Sequence, residues 1–144
     1  MIDRRQFVAA LALLAAGLAV ATPALAQAPA GRARVVIQVS DNDPAKWNLA
    51  LNNARNVQED LGAANVDIEI VAYGPGLAML RDDSKVADRL GQALDKNIGL
   101  FACENTMRNQ KVSRSDIYAG VKYVEAGVVH LMKRQREGWA YIRP

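Results

Sequence analysis

Two short, almost unbroken apolar runs constrain this chain most: "VVIQV" at residues 35–39 and "IGLFAC" at residues 98–103. Apolar residues at successive positions, rather than at every second one, call for burial on both faces. Central strands of a parallel sheet covered by helices meet that demand. The sequence after the first run supplies a helix. Asp43 can cap it and Pro44 occupies the favoured first helical position. Trp47, Ala50, Leu51, Ala54, Val57 and Leu61 form one apolar stripe, and Gly62 stops the helix. Leu49 sits off that stripe and is read as an exposed apolar residue or a subunit contact.

The next segment, "VDIEIVAYGPG", alternates Val66, Ile68 and Ile70 with Asp67 and Glu69, which predicts a strand half open to water and near the sheet edge. Gly74-Pro75-Gly76 makes a turn, and a short apolar stretch follows at 77–80. Ser84 can cap a second helix over 85–96, with Val86, Leu90, Ala93 and Leu94 facing inward. After "IGLFAC", the polar "ENTMRNQKVS" predicts a short helix from Thr106. A brief fourth strand lies in "GVKYVEAG", a helix over 128–135, and a fifth strand in "GWAYIRP". Strands alternating with helices give a three-layer α/β/α fold around a mainly parallel five-stranded sheet, flavodoxin-like in layout.

The N-terminal 28 residues read differently. "MIDRRQFVAALALLAAGLAVATPALAQA" has a charged start, an Ala/Leu-rich stretch and a small-residue end, the layout of an export signal. Ala24-Leu25-Ala26 fits the cleavage pattern, so cleavage near Ala26 and a periplasmic destination are expected. Arg4-Arg5 followed by Gln6-Phe7 is similar to a twin-arginine signal, although Val8 and Ala9 depart from its usual form and leave the general secretory route open. A retained membrane anchor needs a longer, less Ala-rich run than this one, which Pro23 interrupts, so no stable membrane insertion is expected after signal removal. Residues 27–33 form a flexible lead, and 34–144 the domain. Without residues 1–26 the chain keeps sixteen basic and fourteen acidic side chains, a net charge of +2. That balance, with no basic block interleaved with aromatics, argues against nucleic acid as a partner.

Ligands of such sheets gather outside the carboxyl ends of the strands. The loops expected there hold residues 40–43, 73–76, 103–106 and 125–127, with Tyr73, Gly74, Gly76 and Asp41 among them. Cys103, the single cysteine, ends a strand at that rim, and no internal disulfide can form. Free cysteine is among the most buried residue types, so packing alone accounts for it. The alternative is a working thiol. If Asn105 or Thr106 caps a helix, its free N–H groups point towards the sulfur and favour a thiolate. Arg108 and Lys111 add positive charge and Glu104 opposes it.

Residues 34–144 resemble the DsrE/DsrF-like family of small α/β proteins. The likeness rests on "VVIQVSDNDPAKWNLALNNARNV", "IVAYGPGLAML" and "FACENTMRNQKVSRSDIYAGVKYVEAGVVHLMKRQREGWAYI", in that order. Sulfur-relay members of that family carry a persulfide on a cysteine at this strand end, so the resemblance implies that role for Cys103. It also implies a homo-oligomer, trimer or hexamer, with no metal or organic cofactor required. Sulfur donors and acceptors are left unnamed. The alternative is a non-catalytic ligand-binding or assembly module in which Cys103 only packs.

Other constellations are weaker. Asp41 and Asp43 are two carboxylates without further ligands, and turn and cap chemistry explains them. The Gly74-Pro75-Gly76 turn could offer N–H groups to an anion, but a plain turn suffices. No phosphate-binding glycine motif is present. His130, the only histidine, lies far along the chain from Cys103, and a hydrogen-bonded or solvent-facing role is its default. Trp47 reads as a helix anchor. Trp139 and Tyr141 read as core or subunit packing.

Overall fold

The computed structural model describes residues 31–144. The predicted export signal, and residues 27–30 of the predicted lead, lie outside the described residues. The elements are β1 (Ala33–Val39), α1 (Pro44–Leu61), β2 (Val66–Ala72), a 3-10 helix (Gly74–Leu80), α2 (Ala87–Asp95), β3 (Gly99–Cys103), α3 (Glu104–Gln110), β4 (Lys122–Val124), α4 (Gly127–Arg136) and β5 (Ala140–Ile142). The strands form one five-stranded sheet in the order β4-β3-β2-β1-β5, with every neighbouring pair parallel. The α/β sheet expected from the apolar runs is therefore present, and it is parallel throughout.

The strand order dictates where the helices go. From β1 to β4 the chain steps one way across the sheet, and then it returns past β1 to lay down β5. Right-handed crossovers put connections running in opposite directions on opposite faces. One face is thus covered by α1, the 3-10 helix, α2 and α3. Its core joins Val35, Ile37 and Val39 of β1 to Trp47, Leu51, Leu77, Leu90 and Met107. Among the described residues the other face has α4 alone, packing Leu131 against Val36 and Val71 with Tyr73, Phe101 and Trp139 at the margin.

Helix α1 begins as the sequence predicts. Asp43 Oδ1 accepts the Ala45 N–H at 2.8 Å, and Pro44 is the first helical residue. The Trp47 ring is buried on the sheet while its indole N–H donates to the Asp41 carbonyl at 2.8 Å, so the anchor also fixes the loop after β1. The stripe departs from expectation at its end. Leu61 is exposed, and Gln58 takes the buried place, donating its amide to the Lys96 carbonyl at 2.8 Å. Leu49 is exposed. Helix α2 starts later than expected, at Ala87. The Ser84 hydroxyl oxygen accepts the Val86 N–H at 3.3 Å, inside the turn before the helix rather than as its cap.

The alternation in "VDIEIVA" misplaced β2. It is the middle strand, not an edge, and Glu69 is only 8% exposed. Helix α4 brings the partners that make this possible. Arg134 donates two hydrogen bonds to the Glu69 carboxylate, at 2.9 and 2.7 Å, and His130 Nε2 lies 2.7 Å from it. The His130 ring also stacks on Phe101 at 5.0 Å, and the Arg134 guanidinium lies over Trp139 at 4.7 Å. A paired carboxylate thus stands where periodicity predicts water. Removing it takes the partly buried Arg134 guanidinium from two carboxylates to one, Glu137 at 2.8 Å, and leaves His130 without its partner. We expect Glu69→Ala to lower the unfolding free energy by about 3 kcal/mol in denaturant titration. A loss under about 1 kcal/mol would show that the network contributes nothing beyond a surface pair.

Candidate functional site

Reversal of the crossover direction after β4 makes β3 and β4 neighbours whose outgoing loops leave on opposite faces. The loop after β3 turns to α3 on the crowded face, and the loop after β4 turns to α4 on the sparse one. In open α/β sheets a crevice forms at such a point, outside the carboxyl ends of the strands. Cys103 is the last residue of β3, and residues 125–127 follow β4 directly across from it through the Cys103–Val124 register pair. The loops expected to gather at this rim do gather there.

Alternation along β3 puts Leu100 and Ala102 on the crowded face and turns Cys103 to the side of α4. The residue is 4% exposed. Helix α3 begins immediately after it, two residues before the expected start at Thr106. Cys103 is therefore itself the residue before the first helical turn, and neither Asn105 nor Thr106 caps. Its sulfur lies at the starts of two helices, α3 and α4. The Sγ is 3.8 Å from the Glu125 carbonyl.

Burial is the largest influence on the thiol and pushes its pKa up. The Thr106 hydroxyl and the backbone N–H groups of Gly127, Thr106 and Asn105 push it down, and together they leave it below the ordinary thiol value. Among these donors the Asn105 N–H is already engaged with the Glu125 carbonyl at 3.0 Å, so Thr106 and Gly127 carry most of the effect. Charged side chains matter less than the sequence suggests. Arg108 bonds Glu125 Oε1 at 2.5 Å and also the Asn105 side-chain oxygen, while Arg114 bonds Glu104 Oε1 at 2.5 Å. Each guanidinium near the rim is matched by a carboxylate. The thiolate is favoured by fixed N–H and O–H dipoles rather than by a net positive field.

The other predicted residues fall into two groups. Tyr73, Gly74, Asn105, Thr106 and Arg108 assemble around Cys103. The Gly74 N–H donates to Thr106 Oγ1 at 2.9 Å, and Gln110 Nε2 donates to the Gly74 carbonyl at 3.0 Å. The Tyr73 ring packs on Gly127, where an added Cβ would come within 3.1 Å of it. Burial raises the Tyr73 phenol pKa, and that phenol is close enough to Tyr141, Arg143 and Cys103 to feel their charges. Gly76 and Asp41 serve the scaffold instead. A Cβ on Gly76 would meet the Val39 carbonyl oxygen at 2.3 Å, so this glycine allows the turn to close against β1. Asp41 holds Lys46 at 2.9 Å and lies 3.9 Å from Arg143. The Lys46 hydrogen bond holds its carboxyl below the usual range. Lys111 ends α3 in a left-handed conformation. His130 belongs to the Glu69 network and makes no pair with Cys103. No group of three or more metal-ligating side chains occurs among the described residues.

Two contributors escape sequence reasoning. The Gly127 N–H bears on the sulfur because α4 starts beside β3, and the Thr106 hydroxyl lies in the first turn of α3, where its oxygen accepts the Gly74 N–H at 2.9 Å. A strand-end cysteine followed at once by helix formers is the one local signal that could point to either.

The all-parallel five-stranded sheet with this strand order is that of a small α/β protein of the DsrE-like fold. No family model and no curated protein matches the chain. Among solved structures, it is similar to MTH1491 from Methanobacterium thermoautotrophicum, a protein of unknown function. The identity is 38% and the TM-score 0.75, over 78% of this chain and 99% of that one. The chain belongs to the family of MTH1491. The fold alone is shared with two further structures. One is BT1422 from Bacteroides thetaiotaomicron, a conserved protein of unknown function, at 15% identity and TM-score 0.66, covering 82% of this chain and 100% of that one. The other is ychN from E. coli, at 14% identity and TM-score 0.63, covering 79% and 99%.

A thiol held below its ordinary pKa by the fold links stability to pH. The folded state releases the proton first, so stability rises as pH passes the folded pKa and levels off above the unfolded one. It is lost again as pH falls back through the folded pKa. We expect wild type to gain stability over Cys103→Ala across that window in denaturant titrations at stepped pH. A difference independent of pH would show that the fold does not favour the thiolate.

Proposed function

We propose that this chain is a sulfur carrier of the DsrE/DsrF type that holds sulfane sulfur on Cys103. The observation that supports this most is the position of the sulfur, at the β3–β4 crevice beside the starts of two helices, α3 and α4. The chemistry needs no outside oxidant. The Cys103 thiolate attacks the outer sulfur of a persulfide donor, the donor's S–S bond breaks, and the donor leaves as a thiolate. Cys103 is left as a persulfide, whose anion the same two helix starts favour. An acceptor thiolate then takes the outer sulfur and returns Cys103 to its starting state. The reaction is transfer by a carrier, with Tyr73, Gly74, Asn105, Thr106 and Arg108 as the supporting residues. Taken with the export pattern of residues 1–26, the carrier works in the periplasm.

A second reading, an assembly module, is favoured by one observation. The outer side of α4 exposes Val128, Val129 and Met132, and Tyr141 of β5 is exposed on the same face of the sheet. This apolar row begins next to Gly127, at the mouth of the Cys103 crevice, and suits contact with further copies of the chain. The two readings are compatible if the carrier is a trimer or hexamer.

Native mass spectrometry after incubation with a small-molecule persulfide tests both. The carrier reading expects an adduct of about 32 Da, one sulfur atom, that is removed by excess thiol and absent in Cys103→Ser. It also expects three or six copies. An unmodified wild-type protein overturns the sulfur reading, and a monomer overturns the assembly.

A further inference from the structure

A small cleft lies between α1 and α2. It reaches Ile98, the residue before β3, and so opens towards the opposite end of that strand from Cys103. Its floor is Leu51, Ala93 and Ile98, all buried. Helical spacing builds its rim. Arg89, Gln92 and Lys96 follow at steps of three and four residues along one face of α2 and its C-cap, and Arg55 stands one turn after Leu51 on α1.

Three cations therefore share one cleft with little to balance them. Among the described residues, neither Arg89 nor Lys96 has a carboxylate oxygen within 4.0 Å. Arg55 has one, Glu59 Oε1, at 3.7 Å, beyond hydrogen-bonding distance. The Arg89 guanidinium is held by amide oxygens instead. It donates to the Asn48 side-chain oxygen at 2.5 Å, the Asn48 carbonyl at 3.3 Å and the Asn52 side-chain oxygen at 2.7 Å. These bonds orient the fork without cancelling its charge, and they leave two of its five N–H groups over. A clasp between two helices needs only the donors. The further cations beside it repel one another unless an anion joins them.

We propose that this cleft binds a tetrahedral oxyanion, free phosphate or sulfate, between Arg89, Lys96 and Arg55. The planar fork of arginine suits two oxygens of such an anion, and lysine adds a point charge. The Gln92 amide is a neutral donor on the same rim. A space of about 40 Å³ takes a few waters or one such anion and is too small to enclose a nucleotide. The site is separate from the Cys103 crevice and does not depend on the carrier reading.

The test is an NMR titration of the folded protein with sodium phosphate and, separately, sodium sulfate, at neutral pH and with ionic strength held constant by sodium chloride. Saturable shifts are expected in the amide signals around residue 55 and across 89–98. A response to either anion supports the site, and the tighter one names its ligand. Arg89→Gln should weaken binding about tenfold, as loss of a hydrogen bond to a charged group predicts. Lys85→Gln, which removes a cation outside the cleft, should leave it unchanged. If Arg89→Gln does not fold, the double variant Arg55→Gln/Lys96→Gln takes its place with the same expectation. Shifts that fail to saturate, that chloride reproduces, or that keep their wild-type midpoint in the cleft variant overturn the proposal.

Discussion

The structure depends on one topological constraint. Right-handed crossovers oblige a chain that lays four parallel strands in one direction to cover a single face, and the return to β5 places α4 on the other. The crevice between β3 and β4 follows, because their outgoing loops part there. So does the thin cover of the second face, where α4 is the one helix among the described residues. Cys103 ends the strand at that parting, and its sulfur meets the starts of both departing helices. The exposed row Val128, Val129 and Met132 is the other consequence, since among the described residues α4 has no neighbouring helix on its face.

The same constraint sets the electrostatics. Two helix starts, α3 and α4, supply aligned N–H groups without bringing net charge. The carboxylates of Glu104 and Glu125 hold the guanidinium groups of Arg114 and Arg108 at the rim, so neither arginine is free to neutralise a thiolate. The donors that remain are fixed by the fold. Their contribution against the cost of burying the sulfur decides whether Cys103 is a reactive group or a packed one. Deeper in the sheet, the Glu69 network solves the corresponding problem for a carboxylate by pairing it with Arg134 and His130 from the lone helix.

Much of this was legible in the sequence. The unbroken apolar runs of β1 and β3 called for a buried parallel sheet, and Asp43-Pro44 marked the start of α1, because both signals are local and match the geometry they predict. The alternation in β2 misled, since Asp67 and Glu69 read as solvent-facing until Arg134 and His130, more than sixty residues later, are brought onto Glu69. The helix after Cys103 was placed two residues late because a cysteine can precede a first turn without making a cap bond. The position of the sulfur at the rim was foreseen. The donor from Gly127 was not, because it depends on a contact between elements distant in the chain. The scaffold contacts of Gly76 and Asp41 were hidden from the sequence for the same reason. Their partners, the Val39 carbonyl and Lys46, can be named only once the loop after β1 is in place.

The central claim is that the fold favours the thiolate of Cys103 despite its burial. Ultraviolet absorbance of the native protein at the thiolate band, titrated against pH and referenced to Cys103→Ser, measures this directly. The account predicts a single transition below the ordinary thiol pKa of about 8.5, with the protein folded throughout. A transition at or above that value, or a thiolate signal that develops only as the protein unfolds, would contradict it and leave Cys103 a packed residue at the end of a strand.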